Sequence, residues 1–264
     1  MFGLLRGIWS YRHFITSSIR NDFVSRFARS RLGGLWMIIN PLAQVAIYAL
    51  ILSNVLAAKL PGVDSKYAYA LYLMAGILGW NLFSEIVSRC LGLFIEQGNL
   101  MKKMRFPRIC LPVIVTGSCL VNYFFLLLSM LLVFALLDSF PGIELLWLIP
   151  LTLAALALAL GVGLILGVLN VFVRDIGQVV PILLQIWFWF TPIVYPVHIV
   201  PESVRGFISY NPMYPIITGF QNVLVYGQAP DTGAIAITLG ISLLLLLLGL
   251  FIFRRAAPEM VDAL

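Results

Sequence analysis

Long apolar segments separated by short polar ones run through the whole chain. Six of these segments hold roughly the 20 apolar residues that a helix needs to cross a bilayer. They cover residues 36–58, 67–84, 109–137, 145–173, 176–197 and 233–253, and none contains Asp, Glu, Lys or Arg. The pattern predicts an all-α integral membrane protein with six transmembrane helices in a domain at 32–264.

The first 31 residues precede these spans and show a helical period of apolar positions. One predicted face carries Leu4, Ile8, Tyr11, Ile15 and Ile19, and Arg6 and Arg20 lie roughly opposite. An apolar stripe beside basic residues is typical of a helix lying in the membrane interface, where anionic lipid attracts the cations. Residues 1–31 are therefore predicted to form an amphipathic interfacial helix, and a basic topology anchor is the alternative.

The stretch 192–232, between the fifth and sixth spans, is apolar but broken by prolines, among them Pro192, Pro196, Pro201, Pro212 and Pro215. Its apolar piece 216–226 has 11 residues, or roughly 16 Å of helix, which is too short to span a bilayer. Backbone of this kind persists at membrane depth only beside protein or a cavity. The stretch is predicted to form outer re-entrant helices at a pore mouth, and a loop on the outer interface is the alternative.

Composition agrees with a membrane protein. The chain is 61% hydrophobic and 11% charged, against about 45–50% and 25% in soluble domains. The three cysteines include no CxxC pair, and His13 and His198 are far apart in sequence. These counts favour neither a disulfide framework nor a metal site, and no cofactor is expected in this chain.

The placement of the basic residues predicts the orientation. With the N-terminus inside, 14 of the 17 cations fall on the cytoplasmic side and only Lys59, Lys66 and Arg205 fall outside. Such a bias in short loops orients membrane proteins. Both termini are therefore predicted to be cytoplasmic, and the net charge of +6 reports topology and lipid contact rather than binding to nucleic acid.

The cytoplasmic loop 89–108 carries a dense group of charges between residues 96 and 108. Apolar side chains alternate with its cations, as in a short helix that docks into a groove of another protein; a lipid-headgroup anchor is the alternative. The candidate docking residues are Glu96, Gln97, Asn99, Leu100, Met101, Lys102, Lys103, Met104, Arg105, Phe106 and Arg108.

Amide and aromatic side chains recur within the first and fifth spans. The candidates for a channel lining are Asn40, Gln44, Tyr48, Gln185, Trp187, Trp189 and Tyr195. An uncharged lining of amides and rings suits a polyhydroxyl chain, because hydroxyls need hydrogen-bond partners and C–H faces pack on rings. The alternative is interhelical hydrogen bonding, worth about 0.6 kcal/mol on average.

A ladder of small residues in the fourth span, Ala155, Ala159, Gly163 and Gly167, predicts close helix packing. The spacing leaves open whether this packing lies within one protomer or between two.

The chain has no obvious energy source of its own. The predicted spans contain no ionisable side chain of the kind that ion-coupled carriers place in the membrane, and the chain lacks the P-loop motif GxxxxGK[ST]. The acids Asp138, Glu144 and Glu202 are scattered and match no catalytic set. A transport subunit driven by another polypeptide is favoured over a self-sufficient carrier or a membrane enzyme acting on lipid-linked sugars.

Several motifs resemble those of the type-2 ABC exporter permeases, and the resemblance runs across essentially the whole chain. The motifs are GGLW at 33–36, NPL at 40–42, GNLMKKMRFPRICLP at 98–112 and NVFVRDIGQVVPILLQIWFWFTPIVYP at 170–196. The last two are most similar to the branch that exports lipid-linked O-antigen, capsular polysaccharide or teichoic acid.

The resemblance implies a homodimer in the bacterial inner membrane with two copies of a separate P-loop ABC ATPase, on which ATP and Mg bind. It implies that residues 97–108 form the coupling helix and that the first and fifth spans line the channel. The expected substrate is an undecaprenyl-linked polysaccharide similar to O-antigen. A teichoic acid, capsule, or drug and lipid exporter of the same fold is the alternative.

Overall fold

The structure is a computed structural model that describes residues 7–27, 68–103, 106–137 and 140–263, together with five isolated positions between 35 and 47. All regular secondary structure in the described ranges is helical. The helices are α1 (Arg12–Phe27), α2 (Ala68–Glu96), α3 (Gly98–Lys103), α4 (Cys110–Leu136), α5 (Leu148–Phe172), α6 (Ile176–Phe190), α7 (Glu202–Ser209), α8 (Met213–Gln221) and α9 (Thr232–Ala263). A 3-10 helix at Ile143–Trp147 leads into α5, another lies at Val197–Ile199, and a π-helical turn at Asn222–Tyr226 extends α8.

Four described segments are long and apolar enough to cross a membrane. They are Ala68–Glu96, Cys110–Leu136, Ile143–Phe172 and Thr232–Met260, which correspond to the predicted second, third, fourth and sixth spans. The predicted first span, 36–58, lies outside the described residues apart from four isolated positions. The chain is therefore a helical membrane protein with several apolar helices, as the hydrophobic pattern predicts.

The predicted fifth span is wrong at its C-terminal end, because α6 ends at Phe190 instead of continuing to residue 197. Thr191 leaves the helix with extended backbone angles, φ −102° and ψ 131°. The residue before a proline disfavours the α conformation, and Pro192 follows Thr191. At 15 residues, α6 is about 22 Å long, shorter than the apolar thickness of a bilayer.

Helix α2 also differs from the predicted second span. It does not end at residue 84 but continues to Glu96, so the apolar segment and the charged residues Glu85, Arg89 and Glu96 belong to one helix. The hydrophobic pattern predicts an end at Ser84 because Glu85 is the first acid after the apolar segment. A helix can continue past such residues where they find partners, and Arg89 lies 2.9 Å from Asp22 of α1.

Glycines permit close approach between the long helices. A Cβ on Gly161 of α5 would lie 2.6 Å from the backbone carbon of Leu245 in α9. A Cβ on Gly163 would lie 2.9 Å from the Cβ of Cys90 in α2, and Gly167 also lies against Cys90. Gly163 and Gly167, the glycines of the small-residue ladder, therefore pack within one protomer. For these two positions, packing within the protomer is the correct alternative.

Helix α1 rests on α4 through its apolar stripe. Ile15 is buried, and Ile19 lies directly against Gly117 of α4. The rings of Phe23 and Phe125 stack with centroids 5.7 Å apart. At Ile15 and Ile19 the predicted stripe packs on protein, and Phe23 extends the contact beyond that stripe.

Candidate functional site

The short helix α3 displays two lysines at the end of α2. The Gln97 amide donates to the Leu93 carbonyl at 3.0 Å, and the Met101 amide donates to the Gln97 carbonyl at 3.0 Å. Hydrogen bonding thus continues from α2 into α3 with little interruption. Met101 is buried, whereas Lys102 and Lys103 are exposed. Because Met101 anchors the helix, the two cations are held on the surface.

The residues that follow α3 contact the N-terminal part of the described chain and the end of α9. The rings of Phe106 and Phe14 are 5.7 Å apart, and Pro107 lies beside Gly7. The Arg108 guanidinium donates a hydrogen bond to the Ala257 carbonyl of α9. Phe106 and Arg108, two of the candidate docking residues, therefore make contacts within the protomer.

The other candidate docking residues divide by exposure. The exposed ones are Glu96, Asn99, Lys102 and Lys103, and the half-buried ones are Gln97 and Leu100. Met104 and Arg105 lie outside the described residues. The exposed candidate docking residues in the described part of the chain are therefore polar ones at the α2–α3 junction.

An ionic cluster beside this face links three helices, and the sequence interpretation missed it. Arg89 lies 2.9 Å from Asp22 of α1 and 4.0 Å from Glu85, one turn earlier in α2. The Asn122 amide of α4 donates to Glu85 at 2.6 Å. The spacing of Glu85 and Arg89 is a recognisable pairing signal, but nothing in the sequence indicates that Asp22 lies nearby.

A cavity of about 510 Å³ lies between α1, the end of α2, α3 and the start of α4. Polar side chains on its wall include Asp22, Arg89, Glu96 and Gln97. The cavity separates part of α1 from the bundle, so α1 contacts α4 along one edge and leaves a polar gap beside the α2–α3 junction.

The candidate channel residues on α6 divide between two faces. Gln185 and Trp189 are exposed, the latter by 57%. Trp187 is half-buried against Phe83 and Trp80 of α2, with ring centroids 5.0 and 6.4 Å away. Two residues along a helix turn the side chain by about 200°, which accounts for the division. Asn40, Gln44 and Tyr48 lie outside the described residues.

Hydrogen bonds fasten the end of α6 to the segment that follows it. The Trp187 indole N–H donates to Asn211 Oδ1 at 2.9 Å, and Asn211 Nδ2 donates to Thr191 Oγ1 at 2.8 Å. Asn211 Oδ1 also accepts from the Met213 amide at 3.0 Å, at the start of α8. The Tyr195 hydroxyl donates to the Trp189 carbonyl at 2.7 Å. The Asn-Pro pair at 211–212 indicates a turn in the sequence. It does not indicate that the Asn211 side chain bonds to Trp187 and Thr191.

The chain is similar to known permeases over most of its length. It is 27% identical over 266 residues, covering all of both chains, to the O-antigen export system permease protein RfbA of Myxococcus xanthus. It is 28% identical over 239 residues to the Klebsiella pneumoniae protein of the same name, covering 89% of this chain and 88% of that protein.

A third relative is the polysialic acid transport protein KpsM of Escherichia coli, which is 25% identical over 242 residues, covering 90% of this chain and 92% of KpsM. The family described as ABC-2 type transporter matches residues 14–225. This range covers α1 to α8, except for the first two residues of α1. It includes the ionic cluster, α3 and the aromatic part of α6. The chain therefore belongs to the ABC-2 type transporter family.

Proposed function

We propose that this chain is the permease subunit of an ATP-driven exporter that moves an O-antigen-like, lipid-linked polysaccharide across the bacterial inner membrane. The observation that carries the proposal is the end-to-end similarity to a protein named as an O-antigen export permease. The exposed amide and indole of Gln185 and Trp189 support it, because such groups suit hydroxyl-rich chains.

In this proposal residues 1–31 form the cytoplasmic interfacial segment and residues 32–264 the transmembrane domain. The domain has six spans, with 36–58 as the first and α6 as the fifth, and both termini are cytoplasmic. The short helices α7 and α8 within 192–232 are the re-entrant pieces at the outer face. The distribution of cations, 14 of 17 on one side, supports this orientation.

The proposed motor is a pair of separate P-loop ABC ATPase subunits, which bind ATP and Mg, so this chain needs no cofactor. They dock at the segment 89–108, which includes the end of α2 and α3, and in which Lys102 and Lys103 are exposed beside Asn99 and Glu96. Two copies of the chain form the channel, lined by Gln185 and Trp189 with Asn40, Gln44 and Tyr48 of the first span. Trp187 packs between this lining and α2. The lipid that carries the polysaccharide is undecaprenyl.

A capsule exporter is the second candidate, because KpsM, named as a polysialic acid transport protein, aligns with 90% of the chain. Exporters of teichoic acid, drugs or lipids with the same fold are the further alternatives.

The proposal is tested by co-expressing the chain with its ATPase in a host that makes O-antigen but lacks its own exporter. We expect polymer to reach the cell surface, and expect none with an ATPase that cannot hydrolyse ATP. Surface polymer with the inactive ATPase, or none with the active pair, contradicts the proposal. The same pair is also expressed in a host that makes capsule but lacks its own exporter. If capsule reaches the surface there while no O-antigen reaches the surface of the first host, the chain is a capsule exporter.

A further inference from the structure

A second cavity, of about 340 Å³, lies between the start of α2, α8 with its π-helical turn, and the start of α9. It shares no residue with the polar cavity beneath α1. In the proposed topology it faces the outer side of the membrane. Its volume falls at the lower end of the range typical of small-molecule sites.

Part of the cavity wall is fixed by hydrogen bonds. Tyr72 is buried, and its hydroxyl donates to the Tyr195 carbonyl at 3.5 Å. Gln221 is also buried, and its Nε2 donates to the Pro192 carbonyl at 3.2 Å. Asp231 Oδ1 accepts from two backbone amides at the start of α9, at 3.0 and 3.1 Å. These residues are held in place before any ligand binds.

The rest of the wall offers polar groups to a ligand. Tyr214, Asn222 and Tyr226 are half-buried, and among the described residues no side-chain hydrogen bond engages their hydroxyl or amide groups. The Tyr226 hydroxyl is protonated at neutral pH, as tyrosines ordinarily are, and can donate; burial raises its pKa further. The wall thus combines donors, acceptors and the rings of three tyrosines.

The charge on the wall restricts the ligand. Asp231 contributes a carboxylate, and none of the described residues that line the cavity is Lys or Arg. An anionic ligand would be repelled by Asp231 and would find no counter-charge. A neutral pyranose ring satisfies the wall, because its hydroxyls both donate and accept while its C–H face packs on aromatic rings.

We propose that this cavity is a binding site for one neutral sugar unit of the exported chain, distinct from the channel lining on α6. The inference rests on the proposed function and narrows it, because the site would favour polymers of neutral sugars over polyanionic ones such as polysialic acid.

The test is saturation-transfer NMR on the full-length chain in lipid nanodiscs free of glycoside detergent. The probes are methyl α-glucopyranoside, N-acetylglucosamine and the anionic N-acetylneuraminic acid. We expect transfer to the two neutral sugars and none to the acid. Asn222→Ala and Tyr226→Phe each remove one ligand hydrogen bond, so affinity should fall about fivefold.

Tyr210→Phe is the matched control, because Tyr210 is 88% exposed and does not line the cavity. Unchanged binding in both cavity variants, an equal loss in the control, transfer to N-acetylneuraminic acid or no transfer to any probe would overturn the site. Export by the wild-type chain is measured separately. If it exports polymer while the probes fail, only the site is wrong; if it exports no polysaccharide, the proposed function is wrong whatever the probes do.

Discussion

Neighbouring tryptophans on α6 have different surroundings and should respond differently to substitution. Trp187 packs against α2 and donates to Asn211, whereas Trp189 is 57% exposed. The sequence places both in one aromatic run, and only the direction of each side chain separates them. At the residue scale, position along a helix therefore decides between packing against a neighbouring helix and exposure at the surface.

Trp187→Phe should lower the free energy of unfolding by about 1 kcal/mol, because the ring is largely retained but the indole hydrogen bond is lost. Trp189→Phe, the matched change on the exposed face, should leave stability nearly unaltered. Thermal unfolding of both variants in the same lipid checks this. An equal loss in the two would show that Trp187 is not selectively fastened.

At the scale of elements, α5 and α9 depend on glycine at their closest approach. Gly161→Ala places a Cβ 2.6 Å from the Leu245 backbone carbon, so the helices must separate, at a cost of about 1–3 kcal/mol. Gly240→Ala in α9 is the control, because a Cβ there has nothing within 4 Å. It should be neutral or stabilising, since alanine favours helix.

The measurement is the midpoint of thermal unfolding for each alanine variant. A Gly161→Ala variant as stable as Gly240→Ala would mean that α5 and α9 do not meet at this backbone contact.

Helix α3 provides a second prediction at this scale. Reversing the charge at Lys102 and Lys103 to Glu should weaken co-purification of the ATPase, because both lysines are exposed while Met101 still anchors the helix. Reversing Arg254 and Arg255, which are also exposed, is the matched control. Pull-down at two salt concentrations checks the prediction, and wild-type binding should weaken at the higher salt if the lysines pair with acids.

Retention of the ATPase by the Lys102 and Lys103 variant, with export intact, would favour the alternative of a lipid-headgroup anchor for the segment 89–108.

At the scale of the whole molecule, the orientation can be tested by cysteine labelling. Cys90, Cys110 and Cys119 are buried, so they should contribute little background. With a membrane-impermeant maleimide added to whole cells, Tyr210→Cys should label, because residue 210 is exposed and lies outside in the proposed topology. Lys103→Cys should label only after permeabilisation. Labelling of both from the same side would contradict the six-span arrangement.

Hydropathy and charge in the sequence determined that this is a helical membrane protein. Both properties depend only on local composition. An apolar segment of about 20 residues is long enough to span a bilayer, so the sequence shows roughly where the long helices lie. Local chemistry also located helix ends in part: Pro192 ends α6 after Phe190, although the prediction continued the span past it. The motifs in the sequence pointed to the family, which the match at 14–225 establishes.

Only the tertiary structure decided which residues meet across long stretches of sequence. Asp22 and Arg89 are 67 residues apart in sequence but form an ion pair, and Gly163 packs on Cys90 within one protomer. A hydrophobic pattern reports which face of a helix avoids water, and in a membrane lipid and protein satisfy that requirement equally. The choice between them is made by the shapes of neighbouring helices, which no local segment specifies.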